Sequence, residues 1–509
     1  MRRYCYFSYF IYTISLFLTA CGPSVPKSAK DVDKLPRIYP DYIDVTVPVN
    51  IAPLTFELDE EADEMVARYS FDSDEIVCAD KMQPSLGEWR EMTAKAVGKA
   101  IQVDVYARHN AEWTHYKPFQ IHVSPDSIDP WLSYRLIPPS YIGFEALTIS
   151  QRCLENYDER VIYDNKLCST ETEGQCINCH NYQQYNPQRM QFHARQNYGG
   201  TVIAYDGDIH KVNMTCDSLL SAGVYPAWHP WLKLIVYSTD KTHQNFYTTS
   251  PNKIEVYDTE SDLIAYDVER GEVTNIENDA DELEVFPAWS PDGKMLYYCS
   301  AHYEQRDSAA ADSASRNGEA SKMSYRVKDL HYNIYRKSFD PATKSFGPRE
   351  LVFAADSLGC STVLPRISPD GRYLLFTQSA FGYFFIWHHD ADLWLMDLQT
   401  GDVRSLDEIN SPDTESYHSW SSNGRWIVFS SRRDDGVFTR PFIAHIDADG
   451  HACRPFELPA SDPDHHRQFM RCYNIPELMR GPVTIKPQTF ADVFKGEAKT
   501  VKYVNHLSK

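Results

Sequence analysis

Four times between residues 224 and 429 the chain repeats one short pattern, and that repetition limits its fold more than any other feature. Val224-Tyr225-Pro226-Ala227-Trp228-His229-Pro230 leads into the apolar run Leu234-Ile235-Val236-Tyr237. Phe286-Pro287-Ala288-Trp289-Ser290-Pro291-Asp292-Gly293 leads into Met295-Leu296-Tyr297-Tyr298. Leu364-Pro365-Arg366-Ile367-Ser368-Pro369-Asp370-Gly371 leads into Tyr373-Leu374-Leu375-Phe376. Tyr417-His418-Ser419-Trp420-Ser421-Ser422-Asn423-Gly424 leads into Trp426-Ile427-Val428-Phe429. Asp-Gly and Asn-Gly are residues of a tight hairpin whose two central positions take positive φ. The apolar run after each fits a buried inner strand, with a partner downstream such as Asp392-Leu393-Trp394-Leu395-Met396-Asp397. One such unit cannot bury both faces of its sheet, so the units must stack around a ring. The first copy departs from the others, with Trp231-Leu232-Lys233 in place of the Asp-Gly turn.

The expected fold class is therefore mainly β: a propeller of five or six blades over residues 201–475, one of them starting at Gly200-Thr201-Val202-Ile203. Ahead of it, 41–150 reads as a small β-rich domain, expected as a sandwich, because Asp44-Val45-Thr46-Val47 and Ile101–Tyr106 alternate as strands do. One helix is expected near 85–98, where Ser85 and Glu88 form a capping box and Gly98 stands at the end. Residues 151–200 form a cysteine- and histidine-bearing segment, 307–315 a low-complexity loop, and 476–509 a C-terminal tail.

The N-terminus carries Arg2 and Arg3, an apolar run from Tyr4 to Leu18, and then Leu18-Thr19-Ala20-Cys21. This is the layout of a cleaved signal peptide over 1–20, followed by a polar tether over 21–40. The run is shorter than the ~20 residues a membrane-spanning helix needs. The ending resembles the lipobox of bacterial lipoproteins, which implies that Cys21 becomes the lipidated first residue and anchors the chain to a membrane. The formal charge of −21 argues against a nucleic-acid partner, since phosphate binding needs a basic surface. An exported chain meets oxidising conditions, and Cys153 with Cys168, or Cys453 with Cys472, are near enough in sequence to pair.

The cluster that carries chemistry is Cys176-Ile177-Asn178-Cys179-His180. Its spacing is that of a covalently attached c-type haem. Two thiols three residues apart reach two vinyl groups of a porphyrin, and the next imidazole, His180, takes the iron as proximal ligand. The candidates for the far side of the iron are His193 and Met190, and Arg195 is a candidate partner of a haem propionate. Tyr182, Tyr185, Phe192 and Tyr198 could wall such a group or simply pack a core. Two other readings stay open. One is a zinc site built from Cys168, Cys176, Cys179 and His180 or His193. The other is a disulfide or reactive dithiol.

The Pro-Asp-Gly copies resemble the WD-like repeats of TolB-type β-propellers. With the Cys-x-x-Cys-His segment ahead of them, the chain resembles a group of lipoproteins often named for cytochrome c biogenesis. That resemblance implies a periplasmic haem protein held at a Gram-negative membrane, outer membrane or cell surface. The implied work is electron transfer, with protein partners, among them redox proteins, docked by the propeller. The alternative is a non-haem interaction propeller whose Cys/His cluster is structural. No Gly-x-Ser-x-Gly elbow, phosphate-binding loop or His-Glu-x-x-His string occurs, so an enzyme is not the leading reading. A haem peroxidase with an open sixth position is the minor exception. His388-His389-Asp390 and His465-His466 read as loops with a solvated face.

Overall fold

The computed structural model describes residues 23–79, 81–139, 146–170, 172–303 and 326–507. The expected signal peptide, Cys21 and the low-complexity loop 307–315 lie outside them. Among the described residues no helix is long and apolar enough to cross a membrane.

The repeats close a ring. Four blades of antiparallel strands begin with the four copies, their inner strands being Val224–Trp228, Glu282–Trp289, Ser361–Ile367 and Glu415–Trp420. Two more units complete the circle. One is built from Gln175–Tyr182, Arg189–Gln196, Gly200–Tyr205 and Asp208–Asn213. The other is composite: Trp131–Ile137, Thr148–Cys153 and Glu159–Asp164 pair with an inner strand, Cys472–Met479, from the far end of the chain. Neighbouring inner strands touch all the way round, the last against the first, so among the described residues the ring has six blades.

This redraws the expected boundaries. The propeller starts at Trp131 instead of near 201, the 151–200 segment is divided between its first two blades, and the tail from 476 supplies the second half of a closing strand. The composite blade has no Pro-Asp-Gly copy, so periodicity alone gave no sign of it. The chain that follows Met479 binds the outside of the ring. The helix Pro487–Lys495 packs Phe490 and Phe494 against Tyr163 and Phe192. Lys499–Thr500 and Lys502–Tyr503 then add in parallel to the outer edges of the second and third blades.

The turns also differ from expectation. At Ser290-Pro291-Asp292-Gly293 only the glycine has positive φ (+58°), and the same holds for Gly371 (+77°) and Gly424 (+68°). The hydroxyl of Ser290 donates to Asp292 Oδ1 at 2.6 Å and accepts from the Met295 amide, while the Gly293 amide donates to the Ser290 carbonyl. Ser368 and Ser421 repeat the arrangement. This is a type I turn closed by a left-handed glycine, which suits Pro in second place. In the first copy the imidazole of His229 substitutes for the turn, its Nδ1 accepting from the Trp231 and Leu232 amides.

The N-terminal domain is a seven-stranded sheet with a separate two-stranded ribbon, Ile38–Tyr39 against Glu57–Leu58, rather than a sandwich of two full sheets. Its helix, Leu86–Lys95, is capped by Ser85 as the sequence indicates, and Gly98 follows at φ +72°. A shared core ties this domain to the ring: Val45, Val47 and Ile121 pack in one cluster with Trp426, Ile443 and Phe456 of the sixth blade.

Candidate functional site

The Cys-x-x-Cys-His segment is neither helix nor loop. It is the inner strand Gln175–Tyr182 of the second blade and forms part of the channel wall. Strand pairing decides which residues share a face, because side chains alternate along a strand. Cys176 lies opposite Arg195, Asn178 opposite His193, and His193 opposite Thr201. These residues therefore share one face. Met190 belongs to the other, fully buried with Phe192 and Ile177 in the core toward the first blade. His193 and Arg195 are thus brought beside the cysteines, and Met190 is not.

Between Asn178 and Asn181 the strand is bulged, and Cys179 takes a left-handed backbone (φ +55°). The same irregularity recurs on every inner strand, at Tyr225, Phe286, Leu364, Tyr417 and Ile475, with φ between +47° and +58°. These side chains meet around the axis and narrow the channel to a waist with a cavity of only about 30 Å³, which Cys179 and His180 also border. The Cys179 thiol is pushed up by burial, against smaller downward pulls from the Tyr225 backbone, Arg195 and Arg135. Neither ring nitrogen of His180 has a well-formed hydrogen bond among the described residues. Burial pulls its pKa down to about 3, and Arg135 adds to the fall while the Ile475 backbone opposes it. His193 is also buried, with Nδ1 3.0 Å from Thr201 Oγ1, and burial followed by Arg195 takes it to about 3.

Covalent haem requires both sulfurs at one porphyrin edge with the imidazole on the same side. As folded, the segment does not offer that. Cys176 does not border the waist; it accepts from the Asn178 amide nitrogen at 3.3 Å and faces Arg195 across the strand pair. The waist itself is closed by Tyr225, Phe286, Leu364, Tyr417 and Ile475. Arg195 remains a cation, because the pulls of Cys179, Asp240, Cys176 and Tyr225 outweigh burial. Its side chain is exposed to solvent. The zinc alternative is not assembled either. Cys168 sits in the core beside the C-terminal helix, its thiol 3.7 Å from the Ala491 carbonyl, and no three His, Cys, Asp or Glu side chains among the described residues converge as metal ligands. All ten described cysteines are free, so neither expected disulfide is formed.

On one side of the waist the channel is roofed. The hairpin of Leu234–Phe246 and Ile254–Asp267 reaches over it, and His388 clamps that hairpin to the fifth blade. Its Nε2 lies 2.8 Å from Glu255 Oε2 and its Nδ1 3.0 Å from Ser379 Oγ, all three groups being buried. His388 is thus an internal brace rather than a solvated loop residue. His466, buried against Glu457, corrects the same reading at the second His pair.

On the other side the channel opens into a wide mouth of about 1190 Å³, including the space open to solvent. Trp228, Trp289 and Trp420 from the repeats stand in its wall with Tyr185. Two guanidinium groups, Arg366 and Arg480, face it together with Glu477. Arg480 lies 5.7 Å from the centre of the Tyr185 ring. Glu477 accepts from the Asn181 amide nitrogen at 2.7 Å. Burial pushes Glu477 up to about 7, and Arg366 draws it back only in part. Burial likewise lowers Arg366, with Glu477 and Tyr185 opposing. No sequence pattern singled out these residues. Glu477 and Arg480 lie in the stretch read as a tail, although Ile475-Pro476 echoes the Tyr225-Pro226, Phe286-Pro287 and Leu364-Pro365 pairs of the repeats.

A scan against protein-family models finds no match, and a search of curated proteins finds none. Among solved structures the chain is similar to prolyl oligopeptidase B from Galerina marginata bound to a 25mer macrocyclization substrate, at 9% identity, covering 66% of this chain and 52% of that one, with a TM-score of 0.35. It is similar to a prolyl endopeptidase at 10% identity, covering 65% and 42%, with a TM-score of 0.30. It is also similar to a DUF4784 family protein from Bacteroides caccae at 7% identity, covering 72% and 94%, with a TM-score of 0.26. The chain spans about half the length of the first two. Likenesses this distant carry no chemistry across to this chain.

Proposed function

We propose that this chain is an exported, lipid-anchored docking propeller, TolB-like in its repeats, that takes a carboxylate of a partner protein or peptide into the wide mouth of its channel. Lipid on Cys21 would hold it at the periplasmic face of a Gram-negative membrane. The observation that carries the reading is the pair of guanidinium groups, Arg366 and Arg480, set in a wall of tryptophan, tyrosine and proline. Arginine binds carboxylates through two parallel hydrogen bonds, and rigid aromatic walls supply apolar contact at small entropic cost. Glu477 is the internal competitor. As the pH falls through its value of about 7 it loses its charge and frees Arg366, so an incoming carboxylate binds more tightly at pH 6 than at pH 8.

The test is tryptophan fluorescence titration with pools of short peptides bearing either a free or an amidated C-terminus. Free acids should bind at least tenfold more tightly, and Arg366→Gln should remove the difference. Equal binding of acids and amides, or an unchanged preference in Arg366→Gln, would sink the proposal.

A second reading rests on the pentapeptide spacing itself: one haem c on Cys176 and Cys179, with His180 as proximal ligand, exchanging electrons with redox partners. Haem would supply one-electron chemistry. This reading requires Gln175–Tyr182 to leave its place in the second blade, so that Cys176, Cys179 and His180 face one cavity. Haem staining of the denatured gel band, lost in the Cys176→Ala/Cys179→Ala double variant, would establish it.

A further inference from the structure

Where the N-terminal domain meets the sixth blade, a cysteine, a histidine and an aspartate from distant parts of the chain lie in line. Cys453 and His445 face each other across a short turn; the Cys453 amide donates to the His445 carbonyl, and Ile446 bridges to Ala452. The Cys453 sulfur lies 4.0 Å from His445 Nδ1. On the far side of the ring, His445 Nε2 lies 3.0 Å from Asp126 Oδ2 and 3.2 Å from Ser124 Oγ. Trp426 packs against the imidazole edge to face, with ring centres 4.8 Å apart. The carboxylate therefore fixes the tautomer that carries its proton on Nε2, which leaves Nδ1 free to accept from the thiol. This is the order of nucleophile, base and orienting group that activates a thiol. Cys453 is only half-buried, unlike the buried Cys78, Cys153, Cys168, Cys179, Cys299 and Cys472.

We propose that Cys453, His445 and Asp126 form a nucleophilic thiol site that exchanges with low-molecular-weight disulfides. The Cys453 proton passes to His445 Nδ1. The thiolate attacks one sulfur of the disulfide, the S–S bond breaks, and the second sulfur leaves as a thiolate. Cys453 is left as a mixed disulfide, and the small disulfide is the only oxidant consumed. Thiol–disulfide exchange asks only for thiolate character and access, both of which this arrangement supplies.

The surrounding charges agree with this. The thiol is held below its ordinary value, first by His445, against burial and Asp447. His445 is raised by Cys453 and Asp126 in spite of burial. Arg454, next in the chain, is committed to Asp41 and the Ile43 carbonyl.

The test treats the full chain at pH 7 with an aromatic disulfide that releases a coloured thiolate, and maps the modified cysteines by mass spectrometry. Cys453 should react at least tenfold faster than the other half-buried thiols, Cys176, Cys216 and Cys360. Asp126→Asn should slow it severalfold and move the midpoint of its rate–pH profile upward. A burst at another cysteine, or a folded Asp126→Asn protein with an unchanged profile, would overturn the proposal. The comparison among cysteines needs no variant, so it decides the question even if Asp126→Asn fails to fold.

Discussion

At the channel waist six residues with full side chains are held at positive φ: Cys179, Tyr225, Phe286, Leu364, Tyr417 and Ile475. Each costs on the order of 1–2 kcal/mol against a right-handed or extended backbone. They persist because a bulge leaves one residue unpaired and because proline follows four of them, where a missing N–H does no harm. Glycine handles the same conformation at the outer turns. Gly371 stands at φ +77° with nothing within 4 Å of a built Cβ, so Gly371→Ala meets backbone strain alone. It should lower stability by about 1 kcal/mol, read as a shift in the urea midpoint at unchanged slope.

Burial has a titration signature as well. Glu284 is fully buried, neither carboxyl oxygen has a partner among the described residues, and burial, with Glu277, Asp262 and Glu282 adding to it, pushes the group up to about 9. In the unfolded chain a glutamate titrates near 4.3. The folded state therefore keeps a proton that the unfolded state releases between about pH 4.3 and 9, and stability falls as pH rises through that window. Glu284→Gln should melt with the parent at pH 4 and above it at pH 8. Parallel melting profiles would contradict this account of the site.

At the scale of elements, the blades are stapled by the tryptophans of the repeat. Trp289 Nε1 donates to the Ala227 carbonyl of the preceding blade at 3.2 Å, and Trp420 Nε1 to the Arg366 carbonyl at 3.1 Å. Trp289→Phe keeps most of the packing and should cost about 1 kcal/mol for the lost bond, whereas Trp289→Ala should cost about 3–5 kcal/mol, both by chemical denaturation. These four blades and the Ser85-capped helix are local in sequence, with turn, cap and apolar run lying within about ten residues of one another, and so they are legible there. The composite blade joins residues more than three hundred positions apart and carries no local signal beyond the Ile475-Pro476 pair. The mouth escapes notice for the same reason, since Arg366, Glu477 and Arg480 come together only when the ring closes. Cys176-Ile177-Asn178-Cys179-His180 is the reverse case. Its spacing is plain, but spacing leaves backbone conformation open, and in a bulged strand Cys176 is separated from the cavity that Cys179 and His180 border.

At the scale of the whole molecule, the last inner strand, Cys472–Met479, closes the ring and places Glu477 at the mouth, so closure and site formation are one event. The account depends on Gln175–Tyr182 serving as a channel wall. The most direct measurement is the intact mass and visible spectrum of protein made in its own envelope with haem-maturation machinery present. The account predicts the mass of the processed, lipidated chain without porphyrin, and no visible absorption band. A porphyrin that stays with the polypeptide after denaturation, with a reduced-minus-oxidised haem spectrum, would contradict it.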